Sequence, residues 1–190
     1  LKEEESMRSF IGIDFSRELK SEISSLQWEL KTYAISGRWK YIDNFHLTLK
    51  FLGETDMKTA GRISETMKEL CGSVPKFDLK ISGLGNFPGN GCLRVVWLGL
   101  GGDVDKLISF QAEIDQSLGQ LGFQREKRGY SPHITMGQDV VFHTEFERIK
   151  ELTGLKSFPE MTVDRVCLFK SEQIGKKRVY TVVDEFKLQG

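Results

Sequence analysis

Residues 45–53 read FHLTLKFLG. Polar and apolar side chains alternate through this stretch, with His46, Thr48 and Lys50 on one face and Leu47, Leu49 and Phe51 on the other. A period of two belongs to a half-buried strand, and it sets the histidine and the threonine side by side on the polar face. The frame His-x-Thr-x returns at His133-Ile134-Thr135-Met136, inside a second short strand predicted over 131–136 (SPHITM). His143 is the only other histidine in the chain. One such frame would be an ordinary strand. Threonine makes up about 5% of an average chain, so two of three histidines sharing it by accident is roughly a 1% event. The repeat therefore carries information about chemistry.

Working outward, residues 9–15 (SFIGIDF) are β-branched and aromatic and predict a strand. Ser16 is a candidate N-cap for a helix with Leu19, Ile23, Leu26 and Leu30 at helical spacing. Residues 39–42 predict a short strand or extended loop. A second helix starts at Thr55 or Asp56 and carries Ile63, Met67 and Leu70. Residues 77–84 alternate again, and 86–91 (NFPGNG) have turn chemistry. Residues 93–100 (LRVVWLGL) predict a buried strand. A third helix follows, with Val104, Leu107, Ile108, Ile114, Leu118 and Leu121 as its apolar stripe. A short helix over 144–152 and strands over 163–170 and 177–183 complete the chain. The glycine clusters at 83–85 and 99–102 lack the context of a phosphate cradle and read as turns.

This order predicts an α+β fold of two small, antiparallel-rich sheets with outer helices and a cleft between them. Read in halves, it is a β-α-β-type unit used twice, each copy carrying one motif strand. The copies lie roughly ninety residues apart, as an old duplication would leave them. Residues 1–7 (LKEEESM) are expected to be a frayed extension, and 8–190 one bilobal domain.

Composition narrows the function. The chain has 190 residues, 39% hydrophobic and 28% charged, which suits a soluble domain with a substantial core. Its 27 basic residues balance 27 acidic ones. A protein that wraps long nucleic acid is usually basic, so neutrality favours a terminus or a small ligand held by a local basic patch. Cys71, Cys92 and Cys167 are widely spaced and form no C-x-x-C pair. Reduced thiols in a cytoplasmic protein are expected. No apolar run reaches the roughly 18 residues of a membrane span, and the acidic start lacks the apolar region of a signal peptide. No membrane contact and a monomeric state are expected.

Histidine titrates near neutral pH, so one copy can accept a proton while the other donates one. Each threonine hydroxyl stands ready to meet an anionic oxygen beside its imidazole. Two such pairs face to face make a clamp for one phosphate. A metal is the rival reading, but neither motif has a second histidine, a cysteine or a carboxylate at ligand spacing, so no metal is expected. Neither a nucleophile elbow nor a P-loop is present, so no nucleotide cofactor is expected. Ahead of the second motif stand Arg125, Lys127, Arg128 and Tyr130. Arg128 is the candidate phosphate clamp, because a guanidinium grips phosphate oxygens bidentately. Tyr130 and Phe10 are candidates to stack on a base, though Phe10 suits the core equally. Lys50 is either a third phosphate contact or a rim charge.

FIGID near the start, FHLTLKFLGE, GLGNFP, RVVWLGL, LGF followed by R-x-Y-x-PHITMG, and VDRVCLFKSE occur in an order that resembles the 2H phosphoesterase superfamily. The similarity extends from Arg8 to near the end. It is greatest to the RNA 2′,3′-cyclic phosphodiesterase branch, also described as 2′-5′ RNA ligase. The resemblance implies a bilobal, pseudo-twofold fold with a central cleft. It also implies metal-independent opening of a 2′,3′-cyclic phosphate on an RNA end, to the 2′-phosphomonoester. By the same resemblance His46 is the general acid, His133 the general base, and Thr48 and Thr135 the ligands of the phosphate oxygens. Two positions depart from the family pattern: Gln138 stands where many members have arginine, and Arg128-Gly129-Tyr130 where many have Arg-Pro-Phe. Two other readings stay open. One is a related enzyme acting on a small cyclic or 2′-5′ linked nucleotide. The other is a phosphate-binding module without turnover.

Overall fold

The alternating stretch becomes the edge strand of a four-stranded antiparallel sheet. The computed structural model describes residues 6–154 and 156–190. In chain order the elements are β1 (Ser6–Asp14), α1 (Arg17–Thr32), β2 (Ala34–Trp39), a 3₁₀ turn (Ile42–Asn44), β3 (His46–Asp56), α2 (Met57–Cys71), β4 (Phe77–Pro88), β5 (Leu93–Gly102), α3 (Val104–Gly119), β6 (Ile134–Phe142), α4 (Phe146–Thr153), β7 (Met161–Val163), β8 (Arg165–Ile174) and β9 (Lys177–Lys187). The first sheet runs β3-β1-β8-β9 and the second β2-β6-β5-β4-β7. Every pairing within them is antiparallel.

The α+β class and the two sheets match the expectation, and each sheet carries one motif strand. The reading in successive halves needs correction. The chain crosses between the sheets after β1, β2, β3 and β7, so the lobes are interleaved. Neither sheet can form from one half alone. The core is correspondingly continuous: Ile11 and Leu47 of the first sheet, Val96 and Ile134 of the second, and Ile23, Met67 and Ile114 of the helices belong to one buried cluster.

Local chemistry places the helices. Ser16 caps α1 by accepting from Leu19 N at 3.1 Å, and the predicted stripe Leu19, Ile23, Leu26 and Leu30 is buried. Asp56 caps α2 through Thr59 N at 2.7 Å. Each such cap contributes about 1 kcal/mol. In α3 the stripe is shifted, because Ile108 is exposed and Phe110 faces the core. β1 starts earlier than predicted: Ser6 and Met7 already pair with Asp56 and Thr55, and Met7 is buried. The rest of the expected N-terminal extension, 1–5, lies outside the described residues. The glycines at 83–85 are not a turn but part of β4. Register slips there between Ile81 and Leu84, and Gly83 takes the positive φ that the bulge needs. The indole of Trp97 lies where a Cβ on Gly85 would be.

Two bulges in β3 shape everything that follows. Gly12 faces Thr48 and Ile11 faces Lys50, which leaves Leu49 as an extra residue. Phe10 faces Phe51 and Ser9 faces Gly53, which leaves Leu52 extra. An extra residue inverts the alternation beyond it. Lys50 is therefore buried and Phe51 exposed, the reverse of a regular strand.

Candidate active site

The 3₁₀ turn delivers the chain into β3 with the carbonyl of Asn44 beside its first residue. His46 Nδ1 lies 2.8 Å from that oxygen. A carbonyl only accepts, so Nδ1 carries the hydrogen and Nε2 is left for chemistry. Nε2 lies 2.9 Å from Thr48 Oγ1, the neighbour that strand geometry predicts. Asn44 is itself buried, and its side chain donates to the carbonyl of Arg178 at 2.7 Å. β9 thus holds the turn that holds the histidine. Around the ring stand Phe10 at 4.8 Å, Tyr180 edge-on at 5.1 Å and Phe169 at 5.9 Å. Loss of solvation among these rings lowers the His46 pKa to about 4, against the smaller opposing effect of the Asn44 bond. Phe10 is 3% exposed and stacks on Phe169, so it is the wall behind His46 and not a platform for a base.

The second motif repeats the device with different surroundings. His133 lies one residue ahead of β6, not inside it. Its Nδ1 is 2.8 Å from the carbonyl of Ser131, again two residues upstream. Nδ1 therefore carries the hydrogen here too, and Nε2 is available. The ring is half-buried, edge-on to Phe87 at 5.1 Å and 6.4 Å from Trp97. Thr135 follows in β6, half-buried and opposite Trp97 in the ladder. Among the described residues it makes no bond to His133 like that between Thr48 and His46. His143, the third histidine, sits away from both, packed on Tyr33.

Thr48, Tyr130 and His133 line one cavity of about 390 Å³, with Phe87, Arg94 and Arg128 at its sides. His46 does not line this cavity but is bonded to Thr48, which does. Tyr130 ties the two motifs together, because its hydroxyl donates to the carbonyl of Thr48 at 2.8 Å. Burial raises the phenol pKa, which keeps that donor protonated. Arg128 is exposed on the rim.

Lys50 lines the cavity, but its ammonium is engaged by scaffold groups: it is not the rim charge expected of it, and a phosphate contact would require it to leave them. Nζ is buried 2.5 Å from Asp115 Oδ1 and donates to the carbonyl of Gln124 at 2.9 Å. Asp115 also accepts from Glu126 N at 3.2 Å and Arg125 Nε at 3.3 Å. Burial works against the charged form of Asp115, but these donors hold its pKa below the ordinary value. The pair staples the loop at 120–133 to β3. That loop carries Arg128, Tyr130 and His133. Arg125 is thus partly structural.

Gln138 lies opposite Arg38 in the β2–β6 ladder. A guanidinium does stand across the strand from the departing position, but it is engaged by Asp139. Asn44, Ser131 and Asp115 escaped the sequence analysis. The first two act at the motifs through backbone carbonyls, which have no side-chain signature, and Asp115 looked like one more polar residue of α3. Among the described residues, no three His, Cys, Asp or Glu side chains gather as a metal ion would need. Nor is any described helix long and apolar enough to cross a membrane.

A family model described as the 2′-5′ RNA ligase superfamily matches residues 19–175, a span that includes both motifs. The chain belongs to that superfamily. Two curated relatives in it are named RNA 2′,3′-cyclic phosphodiesterase. The Thermotoga maritima protein is 33% identical over 187 residues, covering 97% of each chain. The Methanocaldococcus jannaschii protein is 32% identical over 186 residues, covering 95% of this chain and all of that one. Among solved structures, E. coli LigT complexed with 3′-AMP is similar in fold, with a TM-score of 0.80 and 25% identity, covering 98% of this chain and 100% of that one. The expected resemblance to 2H phosphoesterases is therefore correct at the level of family and fold.

Proposed function

We propose that this protein opens the 2′,3′-cyclic phosphate at an RNA end to a 2′-phosphomonoester, using two histidines and no metal ion or other cofactor. One observation carries the reading: at both motifs, a histidine Nδ1 is held at 2.8 Å by the carbonyl two residues upstream. This lock fixes the tautomer and leaves Nε2 for proton transfer in each case. The names of the relatives support the substrate, and the LigT complex with 3′-AMP supports a phosphorylated nucleoside as ligand.

The step is an in-line displacement at phosphorus. His133 Nε2 takes a proton from water as its oxygen bonds to phosphorus. The bond from phosphorus to the 3′-oxygen breaks, and His46 Nε2 protonates that oxygen. Thr48, Thr135 and Arg128 face the non-bridging oxygens, each good donor contributing on the order of 3 kcal/mol. Ligation would be the same ring opening with a 5′-hydroxyl in place of water as the nucleophile, the 3′-oxygen again leaving. It needs no ATP because the strained cyclic ester supplies the free energy.

The test is phosphorus NMR of a 2′,3′-cyclic mononucleotide and a cyclic-ended oligoribonucleotide, each incubated with enzyme and EDTA. The 2′-monoester is expected from both. A dominant 3′-monoester would mean that substrate binds in the opposite sense. Activity lost to EDTA and restored by one divalent ion would overturn the metal-free reading. Opening of small nucleotides alone would favour the small-ligand enzyme, and no opening at all the binding module.

The lowered pKa of His46 adds a second test. Above pH of about 4 the ring is neutral in the free protein, yet the proposed acid must be protonated. An anion beside Nε2 and Thr48 favours the charged ring, so substrate binding is expected to bring the proton in. Sulfate stays a dianion across this range and serves as the probe. By proton NMR, His46 should titrate well below the ordinary histidine value without sulfate, and higher with it. A midpoint that sulfate leaves unchanged would count against His46 as the acid.

A further inference from the structure

Phe51 is 68% exposed on β3, although the chain around it is core. The extra residue Leu49 turns it outward, and the ring stands 6.1 Å from that of Phe10. Beside it lies a pocket of about 140 Å³ whose walls are Phe51 and Tyr180, with Phe10 between them and the guanidinium residues Arg8 and Arg178 at its sides. Neither arginine has a carboxylate partner among the described residues. Tyr180 is shared with the active site, since its ring meets His46 edge-on at 5.1 Å. Phe51 also lines the cavity that holds Thr48 and His133. The pocket and the active site are thus neighbours, separated by single aromatic side chains.

We propose that this pocket is a subsite for the second nucleotide of a single-stranded RNA end, the residue upstream of the one bearing the cyclic phosphate. The inference rests on the proposed function and deepens it. An exposed aromatic face next to two guanidinium groups matches a base and its phosphodiester. Stacking accepts any base, and arginine takes the phosphate charge. A mononucleotide seated at the histidines leaves the pocket empty, so the subsite favours an RNA end over a free cyclic nucleotide. A second hollow beside Phe51, lined by Arg125, Lys127 and Arg128, is less suited to the phosphate. Arg125 there is engaged by Asp115.

The experiment compares wild type, Phe51→Ala, Phe51→Trp and Arg8→Gln/Arg178→Gln. It reads kcat/KM for a cyclic mononucleotide and a cyclic-ended trinucleotide, and anisotropy of a labelled trinucleotide ending in a 2′-phosphate. Wild type should prefer the trinucleotide. Phe51→Ala should lower the preference ratio at least about fivefold, the lower end for loss of one base–aromatic stack, and Phe51→Trp should restore it. The double arginine variant should bind the trinucleotide with a shallower salt dependence. An unchanged ratio in Phe51→Ala, or a wild type with no preference, overturns the subsite. If no cyclic ester is opened, the proposed function fails. Trinucleotide binding that still depends on Phe51 would then uphold the subsite alone, and binding indifferent to Phe51 would sink both.

Discussion

His46→Ala and His133→Ala are each expected to lower kcat for cyclic phosphate opening by about 10²–10⁴, the usual worth of a positioned acid or base. The two groups act on one transition state, so the double variant should be little worse than either alone. Steady-state turnover of a cyclic nucleotide at saturating substrate checks both statements. One single variant turning over near the wild-type rate would sink the two-histidine mechanism. His46 needs a control that His133 does not, because its ring packs among Phe10, Phe169 and Tyr180 and its removal leaves a hole. His46→Gln fills more of that space, and circular dichroism separates a lost proton donor from a lost fold.

The motif histidines were legible because their signal is local: a strand period, a repeated frame, and a residue type with few other uses in this chain. The sheets were legible for the same reason, although their interleaving was not. Which sheet a strand joins depends on partners far along the chain, such as Ser9 against Lys170 in the β1–β8 ladder. Lys50 and Phe51 show where pattern reading fails. Alternation put Lys50 with His46 and put Phe51 in the core, and the extra residue Leu49 reversed both. Composition gives no sign of a bulge at that point, because Leu49 and Leu52 are ordinary strand residues. Phe10 had two readings, a platform for a base and the core, and its burial fits the second. Its place in β1 was read correctly, but only the tertiary packing of β1, β8 and β9 puts it behind a histidine. The departure at Gln138 was visible in the sequence, while Arg38 on the facing strand was not associated with it.

The largest expected loss of stability lies at the buried ion pair. Lys50→Met removes the ammonium, leaves the buried Asp115 carboxylate with only Glu126 N and Arg125 Nε as donors, and strips the Gln124 carbonyl of its donor. Breaking one side of such a pair costs about 3–5 kcal/mol. A domain of this size loses roughly 2–4 °C of Tm per kcal/mol, so a drop on the order of 10 °C is expected. Lys50→Met/Asp115→Leu should recover much of it, since a well-packed apolar pair avoids the desolvation that the charges suffer. Urea melts of wild type, both single variants and the double variant give the coupling energy. The same series separates the two roles open to Lys50. A phosphate contact would raise KM and leave the melt untouched. A staple would lower the melt, and would disturb activity only through the loop that carries Arg128, Tyr130 and His133. KM read beside the melt in Lys50→Met decides between them: a lowered melt with KM near wild type assigns Lys50 to the scaffold.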